Sequence, residues 1–274
     1  MALIQNGRVA LQAFTLGACL LFSTLLLQTL SPSMQHYSVH YVILYAILSN
    51  ILLYVIHRNY SDVSIRALTL GLVLSLSAFL AMSGWSFQLI GWYICVLCVF
   101  HWGEYFVTAV SNPRNLSLES FLLDHSREYH IAITASIVEY LIECYFLPAY
   151  KQPNWVSIIG LAIVLTGDTF RKLAMLTATT NFNHYVQFAK QEGHQLVTSG
   201  IYAWTRHPSY VGWFYWSIGN QIMLCNPLCT VAFAYVSWRF FQDRIHAEEI
   251  ALVHFFGEDY INYRKKVGTG IPFL

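Results

Sequence analysis

Apolar residues run through this chain in blocks long enough to cross a bilayer, with polar residues gathered between them. A spanning helix needs about 20 apolar residues, within a range of about 17–25. Val9 to Leu30 is the first such block, stopped by Ser31-Pro32-Ser33. Tyr37 to Ile56, Val63 to Met82 and Phe87 to Val110 follow. A polar stretch, Ser111 to Tyr129, then holds Arg114, Glu119, Asp124, His125, Arg127 and Glu128. His130 to Ala149 and Trp155 to Met175 resume the series. The former carries Glu139 and Glu143, and the latter ends with Asp168, Arg171 and Lys172. After a polar connector, 176–207, come Pro208 to Leu224 and Leu228 to Phe241. The last block is short: its 14 residues rise only about 21 Å as a helix. Either that helix continues past Phe241 into the cytosol, or the hairpin does not fully cross. From Arg239 the tail reads as a polar amphipathic helix, with Gly257 as its C-cap and a further helix starting near Glu258. The pattern predicts an all-α integral membrane protein with about eight transmembrane helices. It divides into an N-terminal region of four helices, 1–110, and a second membrane region, 111–274, with helices five to eight, the connector and the tail.

The totals agree. Of 274 residues, 56% are hydrophobic and 11% charged, against about 25% charged in soluble domains. A net charge of +1 gives no electrostatic pull toward nucleic acid. Cys95 and Cys98 form a C-x-x-C pair in mid-span with no second pair at zinc spacing, so they read as ordinary buried thiols and no metal site is predicted. No G-x-G-x-x-G follows a strand, which excludes a Rossmann fold, and P-loop, H-E-x-x-H and G-x-S-x-G motifs are absent. The first apolar block is long enough to span and lacks a cleavage site, so it is expected to be an anchor. Ile271-Pro272-Phe273-Leu274 is not a C-a-a-X box, so prenylation there is not expected.

Charge placement orients the chain. With eight spans and both ends cytosolic, all of the 15 Lys and Arg residues except Lys151 fall on the cytosolic side. That is the bias expected of cytoplasmic loops. The connector, the tail and the stretch Gly200 to Gly212 then share one side.

That stretch, G-I-Y-A-W-T-R-H-P-S-Y-V-G, concentrates polar chemistry in an oily chain. Pro208 keeps His207 out of the helical region and itself suits a helix start. Arg206 and His207 therefore sit at a membrane surface beside free N–H groups, where an anion can be held. A simple interfacial turn anchored by Trp204, Trp213 and Trp216 fits the spacing equally. Arg244 and Glu248 are four residues apart, the spacing of an i,i+4 ion pair. Alternatively Arg244 grips a carboxylate bidentately while Glu248 accepts from a ligand amine or hydroxyl. Arg171 and Lys172 have the placement of snorkelling side chains. Glu139 and Glu143 are costly within a span. They either pair with a basic residue on a neighbouring helix or lie nearer the interface than the block limits suggest.

Taken together, Gly200-x-Tyr202-x-x-x-Arg206-His207-Pro208-x-Tyr210-x-Gly212, Glu248-Glu249 and Phe256-Gly257-x-x-Tyr260-x-x-Tyr263 resemble the isoprenylcysteine carboxyl methyltransferases. Arg171-Lys172, Asn181-Phe182-Asn183-His184, Leu196-Val197-Thr198-Ser199-Gly200 and Gly268-Thr269-Gly270-Ile271-Pro272 extend the likeness from about Asp168 to the C-terminus. The first four blocks share little beyond hydropathy. The resemblance implies an endoplasmic-reticulum enzyme, multi-pass, with a cytosolic active site in the 111–274 region. It would methylate the C-terminal carboxylate of a farnesyl- or geranylgeranyl-cysteine on processed C-a-a-X proteins such as small GTPases. The methyl donor implied is S-adenosyl-L-methionine, held by Gln187, His194, Gln195, Leu196, Val197, Tyr202, His207, Pro208, Ser209, Tyr210 and Glu248. Arg244 would contact the substrate carboxylate, and Arg171 is the second candidate beside the reacting groups. The residue types suit the reaction. A C-terminal carboxyl, with a pKa of about 3.3–3.7, is ionised at neutral pH and needs no general base. A phospholipid N-methyltransferase or a sterol reductase shares the R-H-P-x-Y turn and is the alternative enzyme class. A small transporter built on Glu104, Glu139 and Glu143 would show two related halves, which this chain lacks.

The sequons Asn59-Tyr60-Ser61 and Asn115-Leu116-Ser117 fall on the cytosolic side of this topology. Neither is expected to carry glycan in microsomes. A glycosidase-sensitive gel shift traced to Asn59 or Asn115 would overturn the orientation.

Overall fold

The computed structural model describes residues 3–30, 38–84, 86–124, 126–190 and 193–274. The Ser31-Pro32-Ser33 stop, the start at Tyr37, and the polar residues His125 and Glu192 lie outside the described residues. Among the described residues there is no strand; they form nine α-helices, with short 3-10 turns between several of them. They are α1 (Gln5–Leu30), α2 (Ser38–Ile56), α3 (Ser61–Met82), α4 (Gln88–Ser111), α5 (Arg127–Phe146), α6 (Trp155–Ala178), α7 (Pro208–Met223), α8 (Pro227–Phe256) and α9 (Glu258–Lys266). They fall into two compact units, one of residues 1–110 and 117–125, the other of residues 111–116 and 126–274.

In the first unit, α1, α2, α3 and α4 are each long and apolar enough to cross a membrane. Their outward faces are oily: Ile43, Leu44, Ile47, Leu48, Ile51 and Leu52 of α2 are all exposed. Helices in lipid cannot be driven together by apolar burial, so they associate through close packing of small residues. α1 and α3 do so at Gly17 and Gly71. A Cβ on Gly17 would stand 2.6 Å from the Leu68 carbonyl oxygen, and one on Gly71 would strike that of Phe14. Ser75 uses the proximity, donating from Oγ to Gly17 O at 3.0 Å and Ala18 O at 2.9 Å.

The second unit repeats the device between α6 and α7. A Cβ on Gly167 would lie 2.6 Å from Gly212 O, and one on Gly212 would lie 2.7 Å from Arg171 N. Here the helices mix charged and polar side chains into their apolar runs, and α7 has only 16 residues. The block expected at Leu228–Phe241 is part of a 30-residue helix, α8, which runs unbroken to Phe256. At 1.5 Å per residue α8 is about 45 Å long. The polar tail from Arg239 is its second half. Gly257, at φ +53°, ends it in a backbone conformation that glycine adopts without strain, and α9 begins at Glu258. Block five ends earlier than its hydropathy suggested. α5 stops at Phe146, because Pro148 opens a 3-10 turn.

Two of the three carboxylates of α5, Glu139 and Glu143, serve helix ends. Glu139 accepts from Leu228 N and Cys229 N at 2.7 Å each, capping the first turn of α8. A carboxylate there satisfies orphan N–H groups and suits the positive end of the helix. Glu143 Oε2 lies 2.5 Å from Lys151 Nζ. Lys151, the one cation the sequence sets on the far side, is 1% exposed. Its ammonium donates to Leu224 O at 2.9 Å, Cys225 O at 2.8 Å and Asn226 Oδ1 at 2.9 Å, closing the C-terminal end of α7. Of the alternatives open to Glu143, pairing with a basic residue is the one realised.

Breaking such a pair from one side strands a buried charge, at a cost of about 3–5 kcal/mol. Lys151→Met is therefore expected to lower the melting midpoint in detergent strongly. Combining it with Glu143→Gln is expected to recover most of the loss.

Candidate active site

The site is assembled in the second unit by the connector, the start of α7 and the second half of α8. Pro208 opens α7, and His207 before it is non-helical, at φ −125° and ψ 57°. The turn is strapped by the C-terminal segment, since Arg206 N donates to Gly268 O at 2.9 Å and Thr205 Oγ1 donates to Thr269 O. Ile271 completes the strap by burying itself with Val211, Phe214, Phe241 and Ile245.

Arg206 does not stand ready for an anionic ligand. Its Nε and Nη2 donate to Glu249 Oε1 at 2.9 and 2.7 Å, and its Nη1 donates to Val267 O. The physical reason is local. Glu249 is a mostly buried carboxylate on α8 that needs a partner, and Arg206 is the guanidinium that hydrogen-bonds it, with Arg264 Nη1 farther off at 3.6 Å from Oε2. His207 is fixed by the same group, with Nε2 3.3 Å from Glu249 Oε1. Its Nδ1 lies 3.7 Å from Glu248 Oε2. The imidazole stacks on Tyr210 at 5.5 Å between centroids and 6° between planes.

Two chambers result. The larger is an open cleft of about 710 Å³, counting its mouth. Glu248, Ala251, Leu252, Phe255 and Phe256 present one face of α8 to it, as helical spacing dictates. Gln187, His194, Gln195, Leu196 and Val197 of the connector close the other side, and Tyr202 and His207 complete the wall. Bonds within the connector and to α8 help to tie it down. Asn181 Oδ1 accepts from Gln195 N at 2.8 Å, and Lys190 Nζ donates to Phe255 O at 3.0 Å. Glu248 Oε2 is buried with no hydrogen-bond donor among the described residues. Burial, and secondarily the nearby Lys190 charge, push the His194 imidazole down, although Glu248 opposes them; His194 is therefore held neutral at pH 7. Burial, followed by the Glu248 charge, pushes the Tyr202 hydroxyl up, so it stays protonated.

The smaller chamber, about 260 Å³, is basic and aromatic. Arg171 is 2% exposed and does not snorkel. Its Nη1 donates to Ser209 Oγ at 2.7 Å, and its guanidinium lies 4.6 Å from the Trp213 ring centre. The Gly167–Gly212 crossing puts it there, one turn away along α6. Arg244 Nε donates to Tyr210 Oη at 2.9 Å and its Nη2 to His184 O. No Arg244–Glu248 ion pair occurs among the described residues. The i,i+4 alternative loses to partners that other elements bring.

Of the residues singled out from sequence, Gln187, His194 to Val197, Tyr202, His207 and Glu248 share the cleft, while Arg171, Arg244, Ser209 and Tyr210 share the arginine pocket. Ser209 and Tyr210 thus stand with the arginines, and Pro208 lines neither chamber. Sequence reasoning did not select Asn183, Trp213, Phe240, Ala251, Leu252 or Phe255. The last three follow Glu248 at helical spacing, a signal that was available. Asn183 alone among the described residues lines both chambers.

An all-helical fold with apolar spans, and a polar cleft beside a basic, aromatic pocket, defines a multi-pass membrane enzyme with a two-chambered site. The family model of the isoprenylcysteine carboxyl methyltransferase (ICMT) family matches residues 158–254. The chain is 50% identical to a protein-S-isoprenylcysteine O-methyltransferase of Xenopus laevis, covering 99% of this chain and 96% of the relative. It is equally 50% identical to that of Homo sapiens, covering 98% and 94%. A solved structure of a eukaryotic intramembrane Ras methyltransferase, an isoprenylcysteine carboxyl methyltransferase without a monobody, superimposes with a TM-score of 0.91. It is 42% identical, with 98% of each chain covered. The chain belongs to the isoprenylcysteine carboxyl methyltransferase family.

Glu249 gives the site an acid dependence. Burial acts to raise its carboxyl, but hydrogen bonds from His207 and Arg206, with their charges, outweigh burial and hold it at about 2, below the ordinary 4.5. A depressed carboxyl stabilises the fold above its unfolded value and loses that contribution as pH falls from about 4.5 toward 2. Glu249→Gln is expected to melt well below the unsubstituted protein at pH 7. The difference should shrink as the pH approaches 3, and a pH series of melting midpoints in detergent measures it.

Proposed function

We propose that this chain methylates the C-terminal carboxylate of prenylated cysteine, with S-adenosyl-L-methionine as donor, on processed C-a-a-X proteins such as small GTPases. The observation that carries the reading is the convergence of Arg171 and Arg244 on one aromatic pocket beside the cleft. Family membership implies a methyl donor, and the cleft suits this one. Glu248 Oε2, buried without a donor, is an acceptor for ribose hydroxyls or an ammonium group. The amides of Gln187 and Gln195 and the aromatic and aliphatic walls suit the rest. When bound, the donor supplies a methyl carbon made electrophilic by its sulfonium sulfur. Tyr202, His207 and Glu248 would hold it, and the face of Tyr202 suits its positive charge.

The chain's own residues have a limited task. The nucleophile arrives ionised, so none of them removes a proton. They must place the carboxylate and strip part of its water. Two arginines supply the charge, and each already spends donors inside the protein. Arg171 is committed to Ser209, and Arg244 to Tyr210 and His184, which leaves Arg244 Nη1 without a partner among the described residues. A partly satisfied guanidinium orients an anion without gripping it so tightly that its nucleophilicity is lost. The prenyl chain explains a membrane setting, since each buried CH₂ contributes about 0.8 kcal/mol.

In this reading eight helices cross the endoplasmic-reticulum membrane, with both termini and the site cytosolic. Residues 1–110 supply four spans and residues 111–274 carry the catalytic region.

Purified protein with radiolabelled S-adenosylmethionine and N-acetyl-farnesylcysteine is expected to give base-labile label on the lipid. Label on phosphatidylethanolamine instead would overturn the reading. Arg244→Ala is expected to abolish turnover, by about 10²-fold or more, while cofactor affinity by calorimetry stays within about threefold. Near-normal turnover would remove Arg244 from its role.

A further inference from the structure

Asn183 sits at the seam of the two chambers. Its backbone is pinned on both sides: Phe182 O accepts from Asn112 Nδ2 at 2.9 Å, and His184 O accepts from Arg244 Nη2. Asn112 is itself 2% exposed, so the anchor is rigid. Asn183 Oδ1 accepts from Tyr185 N at 3.0 Å, closing a tight turn of the kind Asn side chains favour. The oxygen already serves the turn, and the NH₂ group is the carboxamide's donor, which has no acceptor among the described residues. A donor held at a fixed place, between a cleft with a carboxylate oxygen that lacks a donor and a pocket with two arginines, matches a ligand that passes between them.

We infer that Asn183 touches the reacting carboxylate. Its Nδ2 donates to one carboxylate oxygen and turns the other toward the cleft. The inference rests on the reaction proposed above. In that reaction one carboxylate oxygen forms a bond to the methyl carbon while the carbon–sulfur bond breaks, its electron pair staying on sulfur, and no proton moves. The arginines cannot do this alone. Both approach from the pocket side, and Arg171 is fastened to Ser209, so they attract the anion without choosing which oxygen faces the cleft. A neutral donor at the seam makes that choice without withdrawing a full charge from the nucleophile.

Asn183→Asp and Asn183→Ala separate this role from a structural one. Asp keeps the acceptor for Tyr185 N but replaces the donor with a second, negatively charged oxygen facing the substrate anion. Ala removes both. With purified protein, radiolabelled S-adenosylmethionine and N-acetyl-farnesylcysteine, kcat/KM for the prenylcysteine is expected to fall about 10-fold in Asn183→Ala and about 100-fold or more in Asn183→Asp. The cofactor Kd, which also reports folding, is expected to stay within about threefold in both. If the carboxamide serves only the turn, Asn183→Asp will match the unsubstituted protein and Asn183→Ala alone will suffer, which overturns the inference. Loss of cofactor binding in both variants overturns it as well. Absence of transfer by the unsubstituted protein would instead bring down the proposed function. Full transfer with an unimpaired Asn183→Asp would remove Asn183 alone.

Discussion

The backbones of α6 and α7 touch, and the site depends on that touch. In a bilayer no apolar burial draws two helices together, so their association rests on packing and on polar groups that find partners. Gly167 and Gly212 let the two backbones meet where any side chain would hold them apart. One turn further along α6, Arg171 then lies against Ser209 and under the Trp213 ring rather than reaching for the surface. A guanidinium in that position is a pocket wall with a fixed charge. The same residue on a helix a few ångströms more distant would extend to the headgroups and have no defined position.

A second set of contacts gives the pocket its other wall. Glu249 gathers Arg206 and His207 onto α8, His207 stacks on Tyr210, and Tyr210 accepts from Arg244. The R-H-P turn thereby works at one remove. Its arginine is spent on the scaffold, and its imidazole and the tyrosine that follows set the Arg244 guanidinium that lines the smaller chamber. The C-terminal strap, held at Gly268, Thr269 and Pro272, keeps the turn from opening.

Charges elsewhere in the second unit are neutralised with the same economy. Two carboxylates of α5 meet helix ends: Glu139 takes the N–H groups that begin α8, and Glu143 takes the ammonium that closes α7. These groups anchor the far ends of the helices whose near ends build the site. A rigid frame at one end lets the connector wrap the other without moving the arginines.

The sequence by itself determined that the chain is helical and oily, where most of its apolar blocks lie, and that Gly257 divides two helices. These follow from periodicity, length and backbone preference, which are local. The family resemblance, rather than spacing, also marked Arg171, Arg244, Glu248 and the connector run as the residues to watch. It could not say that α8 continues for 30 residues, because hydropathy falls where a helix merely leaves the apolar phase. It could not choose between ligand and scaffold for Arg206, between snorkelling and burial for Arg171, or between an i,i+4 pair and a pocket for Arg244. A charged side chain takes the strongest partner within reach, and those partners, Glu249, Ser209, Tyr210 and His184, lie 34 to 60 residues away along the chain. Only the tertiary structure brings them close, and with them Asn183 comes to stand where two chambers meet.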